Sequence, residues 1–242
     1  MKRLIAAGIF VFLIVLIATF PARVAYNWFA PPEIQLSGIS GSIWNGTASE
    51  GKTAGAYIQN LAWQFIPGAL LGGKLAFTAS GSPAAGTMTT EVALGMNGDL
   101  TLSDFVGSVP LDLVHQSFQQ SGIRGDVVLQ LDTLVIKDGL PSEALGTITV
   151  TDFFAPMLST SEIGDFRADF QTTDSGIVGN VADTSAVIDV TGTITLTQNG
   201  SYTFIGNVGA TAETPRSITD QLRFLGSADE RGQRQFRFEG QL

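Results

Sequence analysis

The sequence predicts a mainly β fold: one N-terminal transmembrane helix, then a twisted, mostly antiparallel β-sheet meander with one or two short helices. Three observations point there. An uncharged apolar run, Leu4 to Phe20, follows the basic tip Lys2-Arg3. Beyond Pro32, segment after segment alternates apolar and polar residues with a period of two, the mark of a strand with one buried face. Only 14% of the 242 residues are charged while 44% are hydrophobic, and 28 are glycine; short strands joined by tight turns fit this composition better than a helical bundle does.

The first element is "LIAAGIFVFLIVLIATF", a run of 17 residues that reaches the lower length bound for a membrane-spanning helix. Leu4, Ile9, Phe12, Ile14, Leu16 and Phe20 are its anchoring side chains. A cleaved signal peptide is the competitor, but such peptides have a shorter apolar stretch ending in small residues. Cleavage after Ala22 would put Phe20 three residues ahead of the bond, and cleavage after Ala25 would put Arg23 there. An uncleaved anchor is therefore expected. Lys2 and Arg3 keep the tip in the cytoplasm and send the chain beyond Pro21 across the membrane, into the periplasm in a bacterium. Tyr26, Trp28 and Phe29 stand where an interfacial aromatic belt would sit, or pack on the start of the body. The division expected is 1–30 for tip, anchor and interfacial segment, and 31–242 for a single periplasmic β-rich domain.

Pro31-Pro32 stops a helix and favours an extended lead-in. Alternation is cleanest in "DVVLQLD", "GTITVTD" and "QFRFEGQL". Further strands are expected at Ser42–Thr47, Ala56–Phe65, Lys74–Ser80, Thr89–Met96, Phe166–Thr172, Ala186–Thr191, Thr193–Gln198 and Tyr202–Val208. "MNGD", "QNGS" and "DERGQ" carry the chemistry of hairpin turns, so most pairing is sequential. Two stretches read as helices. "VPLDLVHQSFQQ", Val109 to Gln120, spaces Leu111, Val114 and Phe118 helically, with Gly122 as a stop. "ETPRSITDQLRFLG" spaces Ile218, Leu222 and Leu225 similarly. "FFAPMLST" reads as a loop or a buried turn. Gly125–Asp132 and Gly192–Thr197 form a loose internal echo.

The net charge of -9 opposes phosphate backbones, so nucleic acid is not a partner. There is no cysteine and one histidine, His115. A nucleophile–His–carboxylate arrangement would have to be built around that single residue, and nothing near it in sequence supports one. No Asp-rich calcium loop appears; Asp229-Glu230 falls at a turn, and Gly72-Gly73 and Gly38/Gly41 lack the Lys-Ser/Thr sequel of a phosphate loop. No catalytic, metal or cofactor residues are assigned. In "GSIWNG", Trp44 between Gly41 and Gly46 either covers backbone and pins a sheet edge or anchors a partner.

"ISGSIWNGTA" followed by "NLAWQFIPGALLGGKLAF" resembles the type II secretion system protein N (general secretion pathway N) family. Gly41, Ile43, Trp44 and Gly46 are similar to its G-x-[IVL]-W-x-G element. Leu61, Trp63 and Pro67, then Leu70, Gly73 and Leu75, are similar to its strand–turn–strand. The likeness continues through "VPLDLVHQSFQQSGIRGDVVLQLDTL" to the last hairpins and is thinnest over Pro141–Asp183. The resemblance implies a single-pass, inner-membrane accessory of the machine that exports folded proteins. It would be non-enzymatic and would act by contacts with inner-membrane platform proteins and a protein C-like subunit. The alternative is a lipid-binding or lipid-transfer module, because the Gly-rich strands also resemble those of AsmA-like and lipopolysaccharide-transport proteins. Exposed strand edges offer pairing sites for β-rich partners in either case.

Overall fold

The computed structural model describes residues 2–30, 32, 34–53, 56–83, 86–114 and 121–242. The apolar run forms helix α1, Lys2–Ala18. Its carbonyls accept bonds as far as Phe20: the Thr19 amide and hydroxyl both reach Val15 O and the Phe20 amide reaches Ile17 O, and Pro21 then bars continuation. At 1.5 Å per residue the helix is roughly 26 Å long against a hydrocarbon core of roughly 30 Å. Among the described residues no helix is long and apolar enough to cross a membrane. A second helix, α2, spans Ala22–Phe29.

Beyond α2 the described residues form one antiparallel sheet of fourteen strands with a few short helical turns. The strands are β1 Gln35–Ser37, β2 Ser40–Gly41, β3 Asn45–Thr53, β4 Ala56–Phe65, β5 Lys74–Pro83, β6 Met88–Gly95 and β7 Leu100–Pro110. They continue as β8 Arg124–Lys137, β9 Leu140–Phe154, β10 Gly164–Thr173, β11 Gly176–Ala186, β12 Ile188–Leu196, β13 Ser201–Ala210 and β14 Arg234–Gln241. From β3 onward every strand pairs with the next in sequence; β1 and β2 both lie against β3. At about 4.8 Å per step the sheet runs roughly 58 Å from β1 to β14.

Alternation puts most of the apolar residues on one face. One cross-strand row reads Phe105, Leu131, Gly146, Phe170, Gly179, Ile194, Phe204, Phe238. The adjacent row on the other face reads Val106, Gln130, Thr147, Asp169, Asn180, Thr193, Ile205, Arg237. Bulges keep the apolar face continuous. Asn60, Asp104 and Asp152 have φ of 51°, 49° and 53°, a left-handed turn that Asn and Asp tolerate better than other non-glycine residues. Each coincides with a register shift, so the apolar spacing there is three rather than two: Ile58 to Leu61, Leu102 to Phe105, Val150 to Phe153.

Several expectations are corrected. Only the second half of the strand expected at Ser42–Thr47 is strand: Asn45 opens β3, and Ser42, Ile43 and Trp44 form the turn between β2 and β3. Ala186–Thr191 and Thr193–Gln198 are one strand, β12, preceded by β11, which the alternation does not reveal; β7 is hidden in the same way. "DERGQ" joins a 3-10 turn at Arg223–Leu225 to β14 rather than closing a hairpin. Val109 and Pro110 belong to β7, and the helix expected after them is described only as α3, Leu111–Val114; 115–120, including His115, lie outside the described residues. The second expected helix is α4, Arg216–Leu222. "FFAPMLST" ends β9 and continues as a buried turn, with Ala155 2% and Ser159 4% exposed.

Buried side chains gather in one cluster near each end of the sheet. Ala22, Ile39 and Ala48 pack with Tyr26, Leu36, Leu61 and Trp63. Ala155, Ile163, Val208, Ile218 and Leu222 pack with Phe166, Val190 and Phe236. Between them burial is mixed: Val127, Leu131 and Ile177 are buried, while Phe105, Leu129, Ile148, Phe170, Ile194 and Phe204 are of intermediate exposure.

Candidate functional site

Two features stand out: the junction between α1 and the sheet, and the uncovered apolar face.

The junction answers what "GSIWNG" does. Gly41 has φ 84°, and a Cβ there would stand 2.8 Å from Gly46 Cα. The chain therefore folds back at once. The Ser42 amide donates to Asn45 O at 2.8 Å, while the Trp44 and Asn45 amides donate to Ser42 Oγ. This tight turn projects the Trp44 indole away from the strand, and its Nε1–H donates to Ile17 O at 2.7 Å. The Ile43 amide donates to Phe20 O at 3.0 Å, Ser42 bridges Pro21, and an Arg23 guanidinium nitrogen donates to Ile39 O at 3.4 Å. The last carbonyls of a helix are only partly satisfied within it; here Ile17 O, which takes a 3.3 Å bond from the Phe20 amide, gains a shorter one from the motif. The Trp44 ring lies 4.8 Å from that of Phe65, itself 5.4 Å from Phe77, which carries the contact onto β5. Trp63 lies over Gly46, where a Cβ would overlap its ring.

The edge is closed by a tyrosine. The Tyr26 hydroxyl of α2 donates to Ile34 O at 2.9 Å and accepts from the Leu36 amide at 2.9 Å, occupying edge groups of β1. Trp28 and Phe29 remain 68% and 76% exposed.

The structure brings Gly41, Ile43, Trp44, Gly46, Leu61 and Trp63 together at this junction. Pro67 stands apart, opening the 3-10 turn Pro67–Gly72 between β4 and β5. Leu4, Ile9, Phe12, Ile14 and Leu16 point outward around α1, at 44–78% exposure, and Phe20 packs against Trp28 with ring centroids 6.0 Å apart. Lys2 and Arg3 begin α1. Tyr26 as an edge cap and Ile17 as an acceptor are not legible in the sequence, because neither depends on a local pattern.

The second feature is exposed apolar area. The chain presents 15067 Å² of surface, whereas a compact protein of 25.5 kDa presents about 10,400 Å². Part of the excess is α1; part is the sheet face, over whose middle strands the described residues place no long helix or second sheet. On the polar face, Arg167 grips Asp169 with three guanidinium bonds of 2.7–3.1 Å. That pairing, with a bond from Thr147, holds the Asp169 carboxyl below its ordinary value and Arg167 above its own. A depression of about 620 Å³ beside α3 carries Asp112, Arg124, Asp126, Asp152 and Glu162, with the Arg124 guanidinium 4.7 Å over the Phe154 ring. Among the described residues no cluster of metal-binding side chains forms.

Comparison with known proteins points the same way. The family model for type II secretion system (T2SS), protein N matches residues 32–237. The type II secretion system protein N of Aeromonas hydrophila is 25% identical over 251 residues, covering 100% of this chain and 99% of the relative. That of Vibrio cholerae serotype O1 is 24% identical over 254 residues and covers both chains fully. No solved structure matches.

Proposed function

The chain belongs to the type II secretion system protein N family, and from that premise we propose a non-enzymatic, inner-membrane accessory that works by contact. In this reading α1, extended by Thr19 and Phe20, sits in the inner membrane with Lys2 and Arg3 on the cytoplasmic side; a slight shortfall in length is accommodated by local bilayer thinning. Trp28 and Phe29 rest in the interface, and the sheet stands in the periplasm as one domain, within reach of the platform proteins and a protein C-like subunit. Confinement to the membrane raises the effective concentration of such partners.

The observation that carries this reading is the bond from Trp44 to Ile17. A loosely linked domain needs no such contact, whereas a scaffold that must present its sheet at a fixed angle to its anchor does. The test compares strains carrying no copy, the wild-type chain, or Trp44→Phe, which keeps a ring but removes the indole donor. Loss of folded exoprotein secretion without the chain, and partial recovery with the variant, is expected. Unchanged secretion in the deletion strain overturns the role.

The uncovered apolar face favours a second reading, acyl-chain binding. Exposed patches of this extent on soluble proteins mark interaction sites, and this one begins beside the anchor junction. Native mass spectrometry of the chain released from membranes would show bound phospholipid; a lipid-free spectrum from gentle detergent counts against it.

A further inference from the structure

The last strand differs from every other part of the sheet in having one side open along its whole length. The Leu242 amide donates to Gly200 O, and the Thr197 amide to Ser201 O. Antiparallel bonds alternate along a strand, so the even-numbered residues of β14 bond to β13. The main-chain groups of Gln235, Arg237, Glu239 and Gln241 therefore point outward, and no described residue meets them. Natural edges are usually blunted by proline, bulges, inward charges or a covering element. β14 has no proline and no register shift; Arg237 and Glu239 lie on the polar face, and Arg234, at the start of the strand, has the parity of Phe236 and is turned to Gly226 O. Phe236 and Phe238 lie on the apolar face, with Phe238 63% exposed.

We propose that β14 pairs antiparallel with β14 of a second copy, the two-fold axis passing between the two Phe238 residues. Parity and charge select this register. Outward groups must meet outward groups, so an axis may pass through any one residue, 236 to 239 among them. An axis at Arg237 sets arginine against arginine, and one at Glu239 sets glutamate against glutamate; either is destabilising. An axis at Phe236 leaves Glu239 without a basic residue opposite. An axis at Phe238 places each Arg237 opposite the partner copy's Glu239. Within one chain Arg237 and Glu239 already form an ion pair, so four charges then join in one cluster on the polar face. The same register sets Phe238 against Phe238 on the apolar face and makes about eight main-chain hydrogen bonds. The two apolar faces become continuous. The inference uses only the edge and its charges, and stands or falls apart from the secretion reading.

The chain has no cysteine, so a single Phe238→Cys substitution supplies the test. Directly opposed residues outside the hydrogen-bonded pairs have Cα atoms about 4.5 Å apart, within disulfide reach. Oxidising membranes that hold the full-length variant should give a disulfide-linked dimer. Gln241→Cys, which faces Gln235 of the other copy, should give none by itself, and Phe224→Cys, at an 89% exposed position, measures random collision. A second measurement needs no thiol: sized in detergent, Glu239→Arg should lose the dimer, and Arg237→Glu with Glu239→Arg together should regain it. Phe238→Cys that stays monomeric while its thiol reacts with maleimide overturns the proposal. So does crosslinking no faster than at Phe224→Cys, capture of a different protein instead, or failure of the charge swap to restore pairing.

Discussion

At the β1 end the Tyr26 hydroxyl occupies Ile34 O and the Leu36 amide, and Arg23 reaches Ile39 O; at the β14 end, four residues present their main-chain groups to solvent. The two ends derive from the same alternating pattern and differ in the segments that precede them. β1 and β2 are three and two residues long and come after a helical segment that folds back on them. β14 is eight residues long and comes after a turn that reaches only its beginning, where Arg234 Nε donates to Gly226 O. A meander has two edges by construction. Closing one against the anchor and leaving the other accessible gives the sheet a direction.

The contrast can be broken most severely at the closed end. Gly46→Val would drive a branched side chain into the Trp63 ring and to within 2.8 Å of Ser40 O; a loss of about 3 kcal/mol is expected from such overpacking, read as a lower unfolding midpoint in denaturant. Tyr26→Phe removes both bonds to β1 and should cost about 1 kcal/mol. It should also speed hydrogen exchange at the Leu36 amide, while the β13 amides that face β14 stay protected. At the open end Phe238→Ser should change stability by less than about 0.5 kcal/mol, since no packed core is lost. The smallest effect belongs to the polar face. Asp169 titrates lower in the folded chain than unfolded, so its contribution is present above its unfolded value of about 3.9 and lost as pH falls through the folded one. Asp169→Asn should therefore flatten the acid limb of a melting-temperature profile slightly and leave neutral pH nearly unchanged.

Strands whose alternation is unbroken are legible in sequence: Tyr202–Val208 lies within β13, and "QFRFEGQL" contains most of β14. β7 escapes because Asp104 shifts its apolar positions from Leu100 and Leu102 to Phe105 and Gly107. β11 escapes because Gly179 and Asp183 lie on its apolar face while Val178 and Ala182 lie on the other, which cancels the period. The signal that finds the bulges is present: an apolar residue, one spacer, Asn or Asp, then another apolar residue, as in "IQNL", "LSDF" and "VTDF". The motif glycines are recognisable, but not their use. Gly41 and Gly46 face each other across the reversal between β2 and β3, and the indole's acceptor, Ile17, lies 27 residues away. The Tyr26 cap depends on α2 folding back onto β1, a tertiary event that no window of residues encodes.

Because each strand from β3 onward hydrogen-bonds to its neighbours in sequence, the length of the sheet is set in increments. Splicing in one hairpin would lengthen the assembly by roughly 10 Å and leave the anchored base as it is. Growth can likewise keep pace with synthesis, each newly emerging strand zipping onto the one laid down before it, since local pairings close small loops and form quickly.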